Sequence, residues 1–161
     1  MSFVGVLQSI EDSAFSVSLR ESVYMIADAL GWKLDRVDET LEAAIAPRDL
    51  DTEYLRIPAG GVSGIKQHAR GFRGEESVIS LDLQMYVGAE GPRDHVYIDG
   101  TPSIDMTVKG GIAGDAATAA LVVNSIPKLM AAAPGVVSMR DLPLVHRFNP
   151  AEIKTLPAKK K

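Results

Sequence analysis

The chain contains no cysteine. Structural disulfides and thiolate metal sites are therefore excluded, and the absence leaves the compartment open. Basic patches are also missing. The formal net charge is −4, and the one run of like positive charge is the terminal Lys159-Lys160-Lys161. That balance argues against nucleic acid as a main partner. The opening MSFVGVLQSIEDSAF has neither a basic start nor a long apolar core, so it does not read as a signal peptide. No uninterrupted apolar run reaches the roughly 18 residues of a membrane span. The nearest approach, residues 110–135, is broken by Asp115, Asn124, Pro127 and Lys128. A cytoplasmic protein without a membrane partner is the expectation. Internal repeats and low-complexity linkers are absent too.

What is present suits one domain. A chain of 161 residues buries about two thirds of its unfolded surface and needs no metal or disulfide staple. Ser18-Leu19-Arg20-Glu21 has the form of a capping box, with Ser bonding the third helical amide and Glu reaching back. Leu19, Val23, Ile26, Ala27 and Leu30 follow on one face, and Gly31 stands where a helix stops. These features predict a helix over 18–30. Trp32 reads as an apolar anchor at its end. Residues 33–46 fit two templates, because Val37, Leu41 and Ile45 suit a helix face or alternate strand positions. Residues 47–61 read as loop or irregular edge.

Two strands follow, over 62–72 and 77–87, joined by a turn at Arg73-Gly74-Glu75-Glu76. Ile79, Leu81, Leu83, Met85 and Val87 alternate with Ser80, Asp82, Gln84 and Tyr86, the pattern of a half-buried strand. Ile65, Ala69 and Gly71 share one face of the partner; Lys66, His68 and Arg70 share the other. Keeping like faces together favours a register with His68 opposite Ser80 and Lys66 opposite Asp82. The polar face fits three roles: a solvated surface, a subunit interface or a pocket wall. A second hairpin is expected over 95–99 and 103–109, then a long helix, then a short strand and tail over 136–148. The sum is α+β: a mixed, mostly antiparallel sheet with helices packed on one face.

Gly110, Gly111 and Gly114 open the long helix, but they form neither G-x-G-x-x-G nor a P-loop. Asp115 is placed as the helix N-cap, where its carboxylate would take the amides and the positive end that a phosphate needs. The helix is apolar around most of its circumference, which predicts burial on several sides. Pro127 predicts a kink or break. Thr118 and Asn124 are its polar exceptions, facing either solvent or a ligand. His68, His95 and His146 have no metal-binding spacing, and no nucleophile elbow occurs.

ESVYMIADALGWKLD (residues 21–35), ISLDLQMYVGAEGPRD (79–94), IDGTP (98–102), GDAATAALVVNSIPKLMAAAPG (114–135) and the following MRDLP occur in this order. Together they resemble the C-terminal domain of the dihydrodipicolinate-reductase-like, NAD(P)H-dependent amine dehydrogenases, the 2,4-diaminopentanoate dehydrogenase family. The resemblance covers about residues 19–143. It implies a strand within 33–46, a sheet that forms the subunit interface, and a domain that supplies part of a substrate pocket. In the family a Rossmann domain carries the dinucleotide, and hydride passes between nicotinamide and an amine or imine carbon. No strand–G-x-G-x-x-G–helix unit occurs in this sequence. Relatives carry Gly-His-Val-Gly before the first helix, where Phe15-Ser16-Val17-Ser18 stands here. They carry His before the later Gly-Asp, where Ala113 stands.

The expected organisation is an extension over 1–17, an α+β substrate-binding and dimerisation domain over 18–148, and a basic tail over 149–161. Thr118, Asn124, Gln84 and Tyr86 are the candidate substrate-binding residues. Lys66, His68, Arg70 and Asp82 are the candidate interface. No catalytic, cofactor-binding or metal residue is assigned, and NAD(P)H enters only through the family. A homodimer, a separate Rossmann-domain partner and a small amine or ketone are the expected partners. The alternative is a non-enzymatic homodimeric binding or scaffold protein.

Overall fold

The computed structural model describes residues 18–147. In chain order it contains α1 (Ser18–Ala29), β1 (Arg36–Ile45), β2 (Leu50–Asp51), β3 (Arg56–Ile57), β4 (Val62–Arg73), β5 (Glu76–Tyr86), β6 (Arg93–Ile98), β7 (Ile104–Lys109) and α2 (Gly114–Ala131). All paired strands are antiparallel. The chain divides into two units, one ending at Glu90 and the next beginning at Gly91. The extension 1–17, the tail 149–161 and the capping contact of the Ser18 hydroxyl lie outside the described residues. Among those residues no helix is long and apolar enough to cross a membrane.

In the first unit α1 ends as its sequence predicts. Gly31 takes φ 69°, a conformation that costs glycine nothing. Its N–H donates to the Asp28 carbonyl at 3.1 Å, and the Trp32 N–H donates to Ala27 at 2.7 Å. Trp32 then lies partly exposed, with the Arg73 guanidinium 5.7 Å from its ring centroid. The residues that fit both helix and strand form β1, as the family resemblance implies and against their Glu and Ala content. Tertiary pairing overrides local propensity here, because β1 lies along β4 for its whole length.

The sheet order is β1-β4-β5. Helix α1 lies on one face of this sheet. Val23 and Ala27 from the helix meet Val37, Ala69 and Ile79 from the strands, with Leu19, Ile26, Leu34, Val78 and Leu81 around them. Gly71 is what lets the helix sit this low. A Cβ there would come within 2.8 Å of both Val23 Cγ1 and Leu34 Cδ1. A smaller cluster of Ala46, Leu50 and Ile57, with Val87 against it, closes the loop that contains β2 and β3. Asp49 holds that loop by accepting from the Ala59 N–H at 2.8 Å and Arg56 Nη2 at 3.1 Å. The Ala59 bond first, and Arg56 second, hold the Asp49 carboxyl below the usual carboxylate range.

The register differs from the expected one by two residues. His68 stands opposite Asp82, Lys66 opposite Gln84 and Arg70 opposite Ser80. The two-residue turn at Gly74-Glu75 accounts for one step and a bulge for the other. Phe72 pairs with Ser77 but Gly71 pairs with Ile79, so Val78 is an extra residue in β5. Without it a two-residue turn at Gly74-Glu75 would set polar positions against apolar ones. The bulge restores the match of faces and leaves Val78 and Ile79, consecutive apolar residues, both packed in the core cluster.

In the second unit β6 and β7 form a two-stranded sheet of their own. Asp94 Oδ2 accepts from the Ile112 N–H at 2.7 Å, tying the glycine loop to the base of this hairpin. Beyond α2 the expected strand over 136–148 is not formed in its described part. A turn held by Asp141 replaces it, accepting from Ser138 Oγ at 2.7 Å and the Ser138 N–H at 2.8 Å. These bonds, the hydroxyl first, hold the Asp141 carboxyl below its ordinary value.

Candidate functional site

The face of the sheet turned away from α1 gathers most of the residues singled out from sequence. Lys66, His68 and Arg70 come from β4; Asp82, Gln84 and Tyr86 come from β5; Arg36, Asp38, Thr40 and Glu42 come from β1. Alternation along paired strands places them together, and the bulge keeps them together. His68 Nδ1 bonds Asp82 Oδ1 across the strands. Lys66 Nζ lies 5.5 Å from the Tyr86 ring centroid, and the Arg36 guanidinium 3.8 Å from that of Phe72. Arg36 Nε also meets Asp38 Oδ2 at 3.1 Å. Charges of both signs are interleaved and largely satisfied by neighbours. No cluster of three metal-ligating side chains occurs among the described residues. Chemically this is a surface for polar contact.

The opposite face is less uniformly apolar than its sequence suggests. Gln67 lies in phase with Ile65 and Ala69 and is 1% exposed. Its Nε2 donates to Glu39 Oε1 at 2.8 Å, and Arg20 of α1 meets Glu39 Oε2 at 3.4 Å. This Arg20–Glu39–Gln67 chain was not anticipated, although a glutamine inside the apolar alternation of β4 is a visible signal.

Gln84 and Tyr86 thus stand beside Lys66, His68, Arg70 and Asp82. Thr118 and Asn124 lie on α2, in the other unit. Six residues apart, they are about 120° from each other around that helix and share no face. Asp115 is not the N-cap. Ala113 holds that position in extended conformation and makes no side-chain cap bond, while Asp115 sits one residue inside the first turn. The glycine loop lets the helix begin a turn-step earlier than the carboxylate, whose charge still complements the positive end. Pro127 does not break the helix, which runs through it to Ala131. The predicted burial of α2 is also corrected. Ser125 is its one buried residue, while Leu121, Val122, Val123, Ile126, Leu129 and Met130 are exposed, Val122 by 61%.

The sequence matches the 2,4-diaminopentanoate dehydrogenase C-terminal domain family over residues 8–156. The chain belongs to this family. The match reaches into both the extension and the tail that sequence reading had set outside the domain. A curated relative, 2,4-diaminopentanoate dehydrogenase of Acetoanaerobium sticklandii, is 34% identical over 133 residues. That alignment spans 80% of this chain and 38% of the relative. Among solved structures, the amine dehydrogenase from Mycobacterium smegmatis shares the fold, with a TM-score of 0.69 at 24% identity. There the likeness covers 81% of this chain and 39% of the other. The chain therefore spans under two fifths of either relative's length, as a C-terminal domain should.

The family resemblance raises the question of a nicotinamide dinucleotide. The glycine loop is a poor cradle for its pyrophosphate. In the glycine loop the Ile112 amide is already taken by Asp94, and the Asp115 carboxylate occupies the first helical turn. A pyrophosphate there would meet two like charges.

Proposed function

We propose that this chain is the substrate-side and self-associating part of an oxidoreductase of the amine dehydrogenase type, acting on amines or imines. The dinucleotide-binding Rossmann part is supplied by polypeptide other than these residues. The exposed apolar circumference of α2 carries the reading. A helix with Leu121, Val122, Val123, Ile126, Leu129 and Met130 uncovered is built to be buried against something else. Membership of a family whose relatives are more than twice as long supports a missing protein layer. The polar face of the sheet is the homodimer seam in this reading, with Lys66, His68, Arg70 and Asp82 in it and Gln84 and Tyr86 beside them. Thr118 and Asn124, which lie on different sides of α2, are the candidate contacts to the amine or ketone in this reading.

Titration of the chain with NADH and NADPH, alone and with the relative's dinucleotide-binding part added in trans, tests this. Tight binding only in the presence of the added part is expected, along with restored amine oxidation. Micromolar affinity of the chain alone would overturn the division of labour. In the reconstituted enzyme Thr118→Ala and Asn124→Ala should raise KM for the amine several-fold and leave KM for the dinucleotide unchanged.

A further inference from the structure

A hairpin of two strands is marginal in water by itself, and β6–β7 has no third strand among the described residues. The open edge of β7 can be read from the main chain. The Gly110 N–H donates to the Pro92 carbonyl at 2.8 Å, and positions 92 and 110 continue the ladder in which Arg93 faces Lys109. Hydrogen-bonded pairs alternate along an antiparallel ladder. Asp94 with Val108, Val96 with Met106 and Ile98 with Ile104 are therefore the bonded pairs. The N–H and C=O groups of Asp105, Thr107 and Lys109 point the other way, out of the hairpin. Such an edge is a template for another strand.

We propose that β7 pairs antiparallel with β7 of a second copy of this chain, centred on Thr107, joining two hairpins into a four-stranded sheet. The side chains of this short strand are self-complementary about that centre. Thr107 faces the partner's Thr107. Asp105 faces the partner's Lys109, and Lys109 faces the partner's Asp105, so two opposite-charge pairs form. Met106 faces the partner's Val108 on the apolar side. The outward main-chain groups at 105, 107 and 109 meet their equivalents in the same register, which keeps every side chain on its own face. Asp105 Oδ1 already holds His95 Nε2 at 2.9 Å, which leaves Oδ2 for the incoming ammonium. Centring on Met106 instead would set Asp105 against Thr107 and Lys109 against Ser103, losing both ion pairs. The β6 edge is a poorer match: centred on Val96, it would oppose Asp94, whose carboxylate holds Ile112, to Ile98. This edge belongs to the second unit, whereas the polar face of β4 and β5 belongs to the first.

The absence of cysteine makes the test clean. Thr107→Cys in the full chain should give disulfide-linked dimers under mild oxidation, because bonded strand pairs place Cα atoms about 5.5 Å apart. Met106→Cys and Tyr97→Cys should link far more slowly. Asp105→Lys or Lys109→Asp, each added to Thr107→Cys, should slow linking by roughly tenfold or more, since opposed like charges replace attractive pairs. Combining both reversals in one chain should restore it, which separates a lost interface from a lost fold. Lys66→Glu with Arg70→Glu should leave Thr107 linking unchanged. Linking at Thr107 no faster than at Met106 or Tyr97 would overturn the proposal, as would failure of the double reversal to restore it.

Discussion

Gly71 shows how much one missing carbon decides. Gly71→Ala forces a Cβ into Val23 and Leu34, both of which are held by the core. We expect a loss of about 1–3 kcal/mol in urea unfolding, because neither neighbour is the free end of a flexible chain. Asp49 makes a prediction in pH. Its carboxyl is held low in the folded state by the Ala59 amide and Arg56, so its contribution is present above the unfolded carboxyl value and is lost as pH falls through the folded one. Asp49→Asn should therefore lower the melting temperature at pH 7, and the difference should shrink as pH falls through the acid range, as read by thermal scans in parallel buffers. Legibility varied sharply at this scale. Gly31 was readable because one residue type serves a left-handed stop. Asp115 was misplaced because a flexible glycine loop allows the helix to start at more than one point, and Ala113 gives no signal of a cap.

At the scale of elements, the bulge at Val78 governs the sheet. Deleting Val78 should leave a chain that cannot satisfy both faces at once. It would have to set His68 and Arg70 against apolar positions of β5 or open the turn. Loss of cooperative unfolding and of hydrogen-exchange protection in β4 and β5 is the expected outcome, whereas Val78→Ala should cost only about 1 kcal/mol for a half-buried side chain. The strands themselves were legible from alternation, and α1 from its apolar spacing and terminal glycine. Pairing distance was not, although the adjacent apolar pair Val78-Ile79, where the alternation breaks, is the trace the bulge leaves in the sequence. The fate of β1 was undecidable from propensity and needed its partner strand. The polar face was legible as a set of residues; that it contains the His68–Asp82 contact depended on the bulge.

For the whole molecule, the contrast between the two units matters most. Val122→Glu and Leu129→Glu replace large apolar side chains that are already exposed. Each should alter stability by no more than about 0.5 kcal/mol, while reducing binding of an apolar dye and abolishing reconstitution with the dinucleotide-binding part. Lys66→Glu with Arg70→Glu should shift sedimentation toward smaller species if the polar face is a seam. The apolar circumference of α2 points to an interior position, but what a helix is buried against can belong to polypeptide it has not yet met.

Every buried apolar residue described, from Val23 to Ile79, belongs to the first unit. That stretch carries its own oil drop and can be cut out as a portable module. Grafted beneath an unrelated partner, residues 1–90 should still melt in a single step, while the remainder expressed alone should clump or be digested. A protease added sparingly to the intact chain would therefore trim it from one side and spare the other.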